Sequence, residues 1–183
     1  MGSINNIINL LGKAGKKFDL MGKEFNYKNE INIGGFMVNK KVNAYFSKYF
    51  LDFKYVTDIN YKEKYDSYTL DTRIVDYSYD KFGFYINNQK FLEIKYGYVD
   101  YAFCIKMVES DFKSDNKKAV HILFGAGDKA TYIASEYLLT NYKSIYEKFG
   151  DKHYFFALEV NLVDESVNGA RGIIDLTNDM FNQ

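Results

Sequence analysis

The chain has 183 residues, 47% hydrophobic and 26% charged, and its 24 basic and 24 acidic side chains leave a formal net charge of zero. That length fits one domain, 1–183, and suffices to bury a core without disulfide or metal staples. Cys104 is the only cysteine, which excludes a disulfide scaffold, and 18 tyrosines with 16 phenylalanines exclude a disordered chain. Zero net charge offers no long-range attraction for nucleic acid or an anionic membrane, and it removes repulsion between copies.

Ser3 is placed to cap a first helix, with Ile4, Ile7, Ile8, Leu11, Ala14 and Phe18 on one 3.6-period face. This amphipathic stretch, within residues 1–20, has three readings: a helix docked on its own domain, an arm docked on a neighbouring copy, or a helix lying on a membrane surface. From Ile31 to Val108 the pattern changes to period two. Ile31 and Ile33 alternate ahead of a bend at Gly34-Gly35, and Val42, Ala44, Phe46 and Phe50 read as one face of a further strand. Phe53, Tyr55 and Val56 extend the pattern, Asp58–Asp66 is a polar loop, and Tyr68–Ile74 alternates again. Phe82–Ile86 and Phe91–Tyr96 flank Asn87-Asn88-Gln89, a hairpin signal. Tyr101, Phe103, Ile105 and Met107 form an apolar strand face opposite a mixed face of Asp100, Ala102, Cys104 and Lys106, the mark of a sheet with one wetter side.

Glu109–Lys118 reads as a charged loop and Ala119–Phe124 as a buried strand. Gly125-Ala126-Gly127 leads into a long helix over about 128–149, with Asp128 as its N-cap and Gly150 as its C-cap. His153–Val163 alternates as a strand, Asp164–Ala170 is a loop, and Arg171–Phe181 fits either a short helix or a last strand. The expected fold is α+β: an antiparallel β-meander sheet or barrel of about 8–9 strands, one long helix packed on it, and short terminal helices.

The sharpest local motif is Gly125-Ala126-Gly127-Asp128-Lys129-Ala130, which reads G-x-G-x-x-A and resembles the dinucleotide fingerprint. Asp128 would set a negative charge beside a phosphate. Glu159 and Asp164 lie beyond the usual spacing to a ribose acid, and too little chain follows for further βαβ units. The sequence favours a tight strand-to-helix turn. His121 and His153 sit in apolar strands with no second ligand nearby, so they read as structural, and Cys104 reads as buried. The carboxylates of Glu109, Asp111, Asp164 and Glu165 read as solvated loop acids. Tyr55, Tyr61, Tyr65, Tyr68, Tyr77 and Tyr79 interleave with lysines, but seven nearby acids cancel a basic groove.

No catalytic, cofactor-binding or metal-ligating residue is expected. The expected role is a non-enzymatic, self-assembling structural subunit, in a layout resembling that of phage tail-tube and related injection-apparatus subunits at the level of fold. The alternative is a small protein-binding adaptor, inhibitor or immunity-type module, and a third reading is a nucleotide-binding enzyme using the Gly125–Ala130 turn. The partner is expected to be another copy or another protein, with no nucleic acid, membrane or small-molecule ligand. Interface candidates are Ile4, Ile7, Ile8, Leu11, Phe18, Tyr61, Tyr65 and Phe112. With no signal peptide and no apolar run long enough to span a bilayer, a cytoplasmic or virion location is expected.

Overall fold

The computed structural model describes residues 29–63, 72–110, 117–163 and 170–181. The elements run β1 (Asn29–Ile33), α1 (Lys40–Tyr49), β2 (Lys54–Asp58), β3 (Val75–Ser78), β4 (Gly83–Ile86) and β5 (Lys90–Glu93). They continue with β6 (Val99–Ser110), β7 (Lys117–Gly125), α2 (Asp128–Phe149), β8 (Tyr154–Asn161), β9 (Ala170–Asp175) and α3 (Thr177–Phe181). Short 3-10 turns at Ile59–Tyr61 and Thr72–Ile74 fill two of the connections.

The strands form two open sheets, ordered β1-β7-β6-β8-β9 and β3-β2-β4-β5. The fold is α+β with a long helix, as expected, but the antiparallel meander or barrel is corrected to two mixed sheets. Each sheet carries one parallel pair at an edge: β1 runs parallel to β7, and β3 parallel to β2. The remaining pairs are antiparallel. Alternation along one strand is blind to the direction of its neighbour, so these two parallel edges leave no mark in the sequence.

Three layers result. Tyr101, Phe103, Ile105 and Met107 of β6 turn one way, into a core shared with Val120, Ile122 and Phe124 of β7, the four-stranded sheet and α1. Ala102 and Cys104 turn the other way, under Ala130, Ile133, Ala134 and Leu138 of α2. The predicted wetter face is therefore corrected: α2 covers it, and even Asp100 and Lys106 on it are buried. Phe53 sits at the middle of the larger core. Its ring centroid lies 4.9 Å from Phe46, 5.4 Å from Phe84 and 5.4 Å from Phe103, mostly edge-on as ring quadrupoles prefer.

The run predicted as a strand at 42–50 is helix α1. Val42, Phe46 and Phe50 are four apart and buried, while Ala44, which alternation placed with them, is exposed. Spacing of two contains spacing of four, and the cap decides between them. The Asn39 side chain accepts hydrogen bonds from the Lys41 and Val42 amides, at 3.1 and 3.3 Å, and starts the helix. At the other end of the chain the alternatives combine, since Arg171–Phe181 contains both strand β9 and helix α3. The predicted N-terminal helix and the segment Asp164–Glu165 lie outside the described residues. The charged loop is shorter than expected, because Glu109 pairs with Lys118 and Ser110 with Lys117 in the β6–β7 ladder.

Candidate functional site

The strand directions bring six connections to one end of the molecule. β7 ends at Gly125 opposite the start of β6, and parallel β1 ends beside it at Ile33. The start of β6 also meets the end of β8, through the pair Val99 and Asn161. A tight turn, closed by a bridge between Lys95 and Val99, carries the chain from β5 into β6. The second sheet presents the end of β2, the start of β4 and the end of β3 on the same side. Segments 34–38, 59–63, 79–82, 95–98, 125–127 and 162–163 thus emerge together.

At the base of this end lies a cavity of about 290 Å³. Phe36, Tyr55, Phe84 and Phe124, all buried, lie beneath it, and its rim is the Gly34–Val38 loop facing the Gly125–Asp128 turn. Glycine is required at Gly125, where a Cβ would overlap the Cβ of Ala130. This explains the G-x-G-x-x-A spacing without a ligand: the first glycine and the alanine are the two surfaces of a strand-to-helix contact. Thr131 ties the turn from within, its hydroxyl accepting from the Gly125 amide at 3.0 Å and donating to the Gly127 carbonyl at 3.1 Å.

The amides that a pyrophosphate would use are already engaged. Asp100, at the start of β6, is only 3% exposed. Its Oδ2 accepts from the Gly127 amide at 2.9 Å, its Oδ1 from the Tyr101 amide at 2.6 Å, and the Ala126 amide also donates to it. Burial pushes this carboxyl above the ordinary range, against the pull of those three amides. A carboxylate supplied by the neighbouring strand thus occupies the position that a phosphate takes in nucleotide folds. The predicted N-cap is corrected with it: Gly127 is the cap residue, and Asp128 is the first residue inside the helix. The sequence shows Asp100 only as a strand residue on the mixed face, because its partners lie 26 and 27 positions away.

The outer part of this end is apolar and tyrosine-rich. Tyr79 is 88% exposed and Tyr96 91%, and Val38, Tyr61, Tyr98 and Val163 are also exposed there. The Leu162 amide donates to the Tyr98 carbonyl at 2.8 Å, which sets Val163 next to the Tyr96–Tyr98 turn. Lys62, Lys81, Lys95 and Lys129 stand at this end together with Asp58, Glu63, Asp80, Glu93, Asp128 and Glu159, so both signs are mixed there. Of the predicted interface residues, Tyr61 falls at this end. Ile4, Ile7, Ile8, Leu11, Phe18, Tyr65 and Phe112 lie outside the described residues. Tyr96, Tyr98 and Val38 escaped the sequence reading because nothing local separates an exposed tyrosine from one packed in a sheet; Tyr55, in a similar setting, is buried.

No family model matches the chain, and no curated protein or solved structure matches it.

What the molecule can do follows from its own chemistry. His121 and His153 lie far from the cavity, beyond the other end of α2. A His121 ring nitrogen is 3.1 Å from the Tyr154 hydroxyl, and His153 Nδ1 accepts from the Val108 amide at 3.1 Å. Lys106 stands beside them in the sheet and donates to the Gly150 carbonyl, where the end of α2 favours a cation. Burial lowers its amine, and burial with the Lys106 charge lowers His121 to about 4. Cys104 is fully buried, its thiol pushed up by burial and donating to the Ala134 carbonyl at 3.2 Å. Among the described residues no group of three or more His, Cys, Asp or Glu is placed to hold a metal ion. None of the described helices is long and apolar enough to cross a membrane.

Proposed function

We propose that this protein is a non-enzymatic subunit that associates with copies of itself through its tyrosine-bearing end. The observation that carries the reading is the gathering of Val38, Tyr61, Tyr79, Tyr96, Tyr98 and Val163 at the end where six connections meet. Tyrosine suits a surface that is wet when alone and buried when paired, because its ring is apolar and its hydroxyl keeps a hydrogen bond in either state. The mixture of lysines and carboxylates favours a like partner. A surface carrying both signs can meet its own copy with opposite charges facing, whereas a one-signed surface calls for a different molecule.

Sedimentation velocity over a wide concentration range tests this. The wild-type chain is expected to form a dimer or larger species that the triple replacement Tyr79→Ser, Tyr96→Ser, Tyr98→Ser dissolves to monomer. Tyr146→Ser, an exposed ring on α2, is expected to leave the assembly intact. A wild-type chain that stays monomeric at several hundred micromolar, or a triple variant that assembles as well as wild type, overturns the reading. In the first case the same end would be left to serve a different protein, as in the adaptor alternative.

A further inference from the structure

We infer that the cavity between the two glycine loops is a binding site for a small aromatic molecule carrying an ammonium group. The inference does not require self-association, though the two surfaces share Val38 and Asp128, and it departs from the expectation that no small molecule binds. It rests on shape, lining and charge together.

The shape comes from two loops that follow neighbouring parallel strands, β1 and β7. In open sheets that position forms a crevice, because the chain leaves adjacent strands in diverging directions. Gly35 stands at its mouth. A Cβ on Gly35 would point across it, to within 3.6 Å of the Phe124 ring and 3.8 Å of the Gly125 carbonyl. The resulting volume of about 290 Å³ holds roughly ten waters at ~30 Å³ each, which matches one ring with a short chain. The aromatic floor of Phe36, Tyr55, Phe84 and Phe124 is suited to an apolar ring.

Charge selects the sign of the ligand. Among the described residues the lining includes Asp128 and no lysine, arginine or histidine. Behind Gly127 stands the Asp100 carboxyl, its Oδ2 3.3 Å from where a Cβ of Gly127 would be. The start of α2 supplies only about half a positive charge, which Asp128 alone outweighs. Phosphates and carboxylates are therefore repelled. A cation is drawn to Asp128.

Ligand-observed NMR titration with three isosteric probes tests the inference: phenethylammonium, phenethyl alcohol and 3-phenylpropionate, each on the full chain. The ammonium is expected to bind about tenfold more tightly than the alcohol, and the carboxylate not at all. Asp128→Asn is expected to bring the ammonium down to the affinity of the alcohol while leaving the alcohol unchanged. Gly35→Leu, which fills the mouth, is expected to abolish both. If Gly35→Leu does not fold, displacement of Phe124 and Gly35 resonances in the wild-type chain reports the same contact. The inference is overturned if none of the probes binds at 10 mM, if the carboxylate binds as well as the ammonium, or if Asp128→Asn keeps the preference. Repeating the titration on the Tyr79, Tyr96 and Tyr98 triple variant separates the two proposals, since its cavity lining is untouched.

Discussion

Asp100 shows how much one side chain can settle. Its carboxyl holds the amides of Tyr101, Ala126 and Gly127 and so joins the start of β6 to the start of α2. Removing it leaves three donors without their acceptor; the buried Tyr101 amide carries the cost of an unsatisfied group, about 1–3 kcal/mol, while the Ala126 and Gly127 amides, on exposed residues, turn to water. Asp100→Ala is therefore expected to destabilise the fold by about 1–3 kcal/mol in urea titration. Asp100→Asn, which keeps an acceptor oxygen and removes a buried charge, is expected to cost less than half of that. Glu30 and His121 make the fold sensitive to acid. Glu30 is half-buried, which by itself would raise its carboxyl, but bonds from Lys41, Asn32, Tyr45 and Lys118 outweigh burial and hold it down at about 2. A carboxyl depressed in the folded state contributes its stability above the unfolded value near 4.3 and loses it as pH falls towards 2. His121 is a base lowered to about 4. The unfolded chain then binds the extra proton between about 6.5 and 4, so stability falls with pH through that window and levels off below it. Melting temperature is expected to drop in two stages on acidification. His121→Gln should flatten the upper stage and Glu30→Gln the lower one; a single stage that neither variant alters would show that other groups dominate.

At the scale of elements, the Glu30 cluster explains why α1 sits where it does. Glu30 belongs to β1, Lys41 and Tyr45 to α1, and Lys118 to β7, with Tyr45 Oη 2.7 Å and Lys118 Nζ 2.9 Å from the carboxylate. The polar face of α1 is pinned to a sheet edge while Val42, Phe46 and Phe50 enter the core. Asn39→Ala is expected to cost about 1 kcal/mol through the lost cap. Phe46→Ala should cost about 3–5 kcal/mol through the cavity left among Phe36, Phe50, Phe53 and Phe124. Equal losses in the two variants would mean that α1 is held by its cap and not by its packing. The same helix marks where the sequence became hard to read. α2 was legible at both ends because Gly127-Asp128 and Gly150 bracket an uninterrupted apolar stripe. The β4–β5 hairpin was legible because Asn87 and Asn88 adopt φ of 51° and 53°, which asparagine tolerates. α1 was not, since it spans under three turns and its period-four residues also satisfy period two. The candidate site was legible only in fragments. Its glycine turn stood out in one segment, but the Asp100 carboxyl, the Gly34–Val38 rim and the tyrosines come from strands joined only by pairing across the sheets.

For the whole molecule, the aromatic content divides by chemistry. The fully buried large rings include Phe36, Phe46, Phe50, Phe53, Phe84, Phe103, Phe124 and Phe155, whereas the exposed rings among the described residues are all tyrosines. The exposed rings are tyrosine, although Tyr55, Tyr101 and Tyr154 are buried with the phenylalanines. That sorting bears on what would hold copies together. Burial of tyrosine rings is insensitive to salt, while charge pairs at an exposed rim weaken as the screening length falls from about 10 Å at 0.1 M to about 3 Å at 1 M. An assembly built on Tyr79, Tyr96 and Tyr98 is therefore expected to survive 1 M NaCl with less than about a threefold change in its dissociation constant. Charge should matter only when its balance is broken. Replacing Lys81 and Lys95 by Glu moves the net charge from zero to −4 and leaves this end predominantly acidic. In 50 mM salt that double variant is expected to associate at least tenfold more weakly, and in 1 M NaCl to recover most of the loss. Sedimentation equilibrium at the two salt concentrations measures both effects. If the wild-type assembly itself falls apart at 1 M, paired charges and not tyrosine rings would be the attachment, and the role given to Tyr96 and Tyr98 would pass to Lys81, Lys95 and the carboxylates around them.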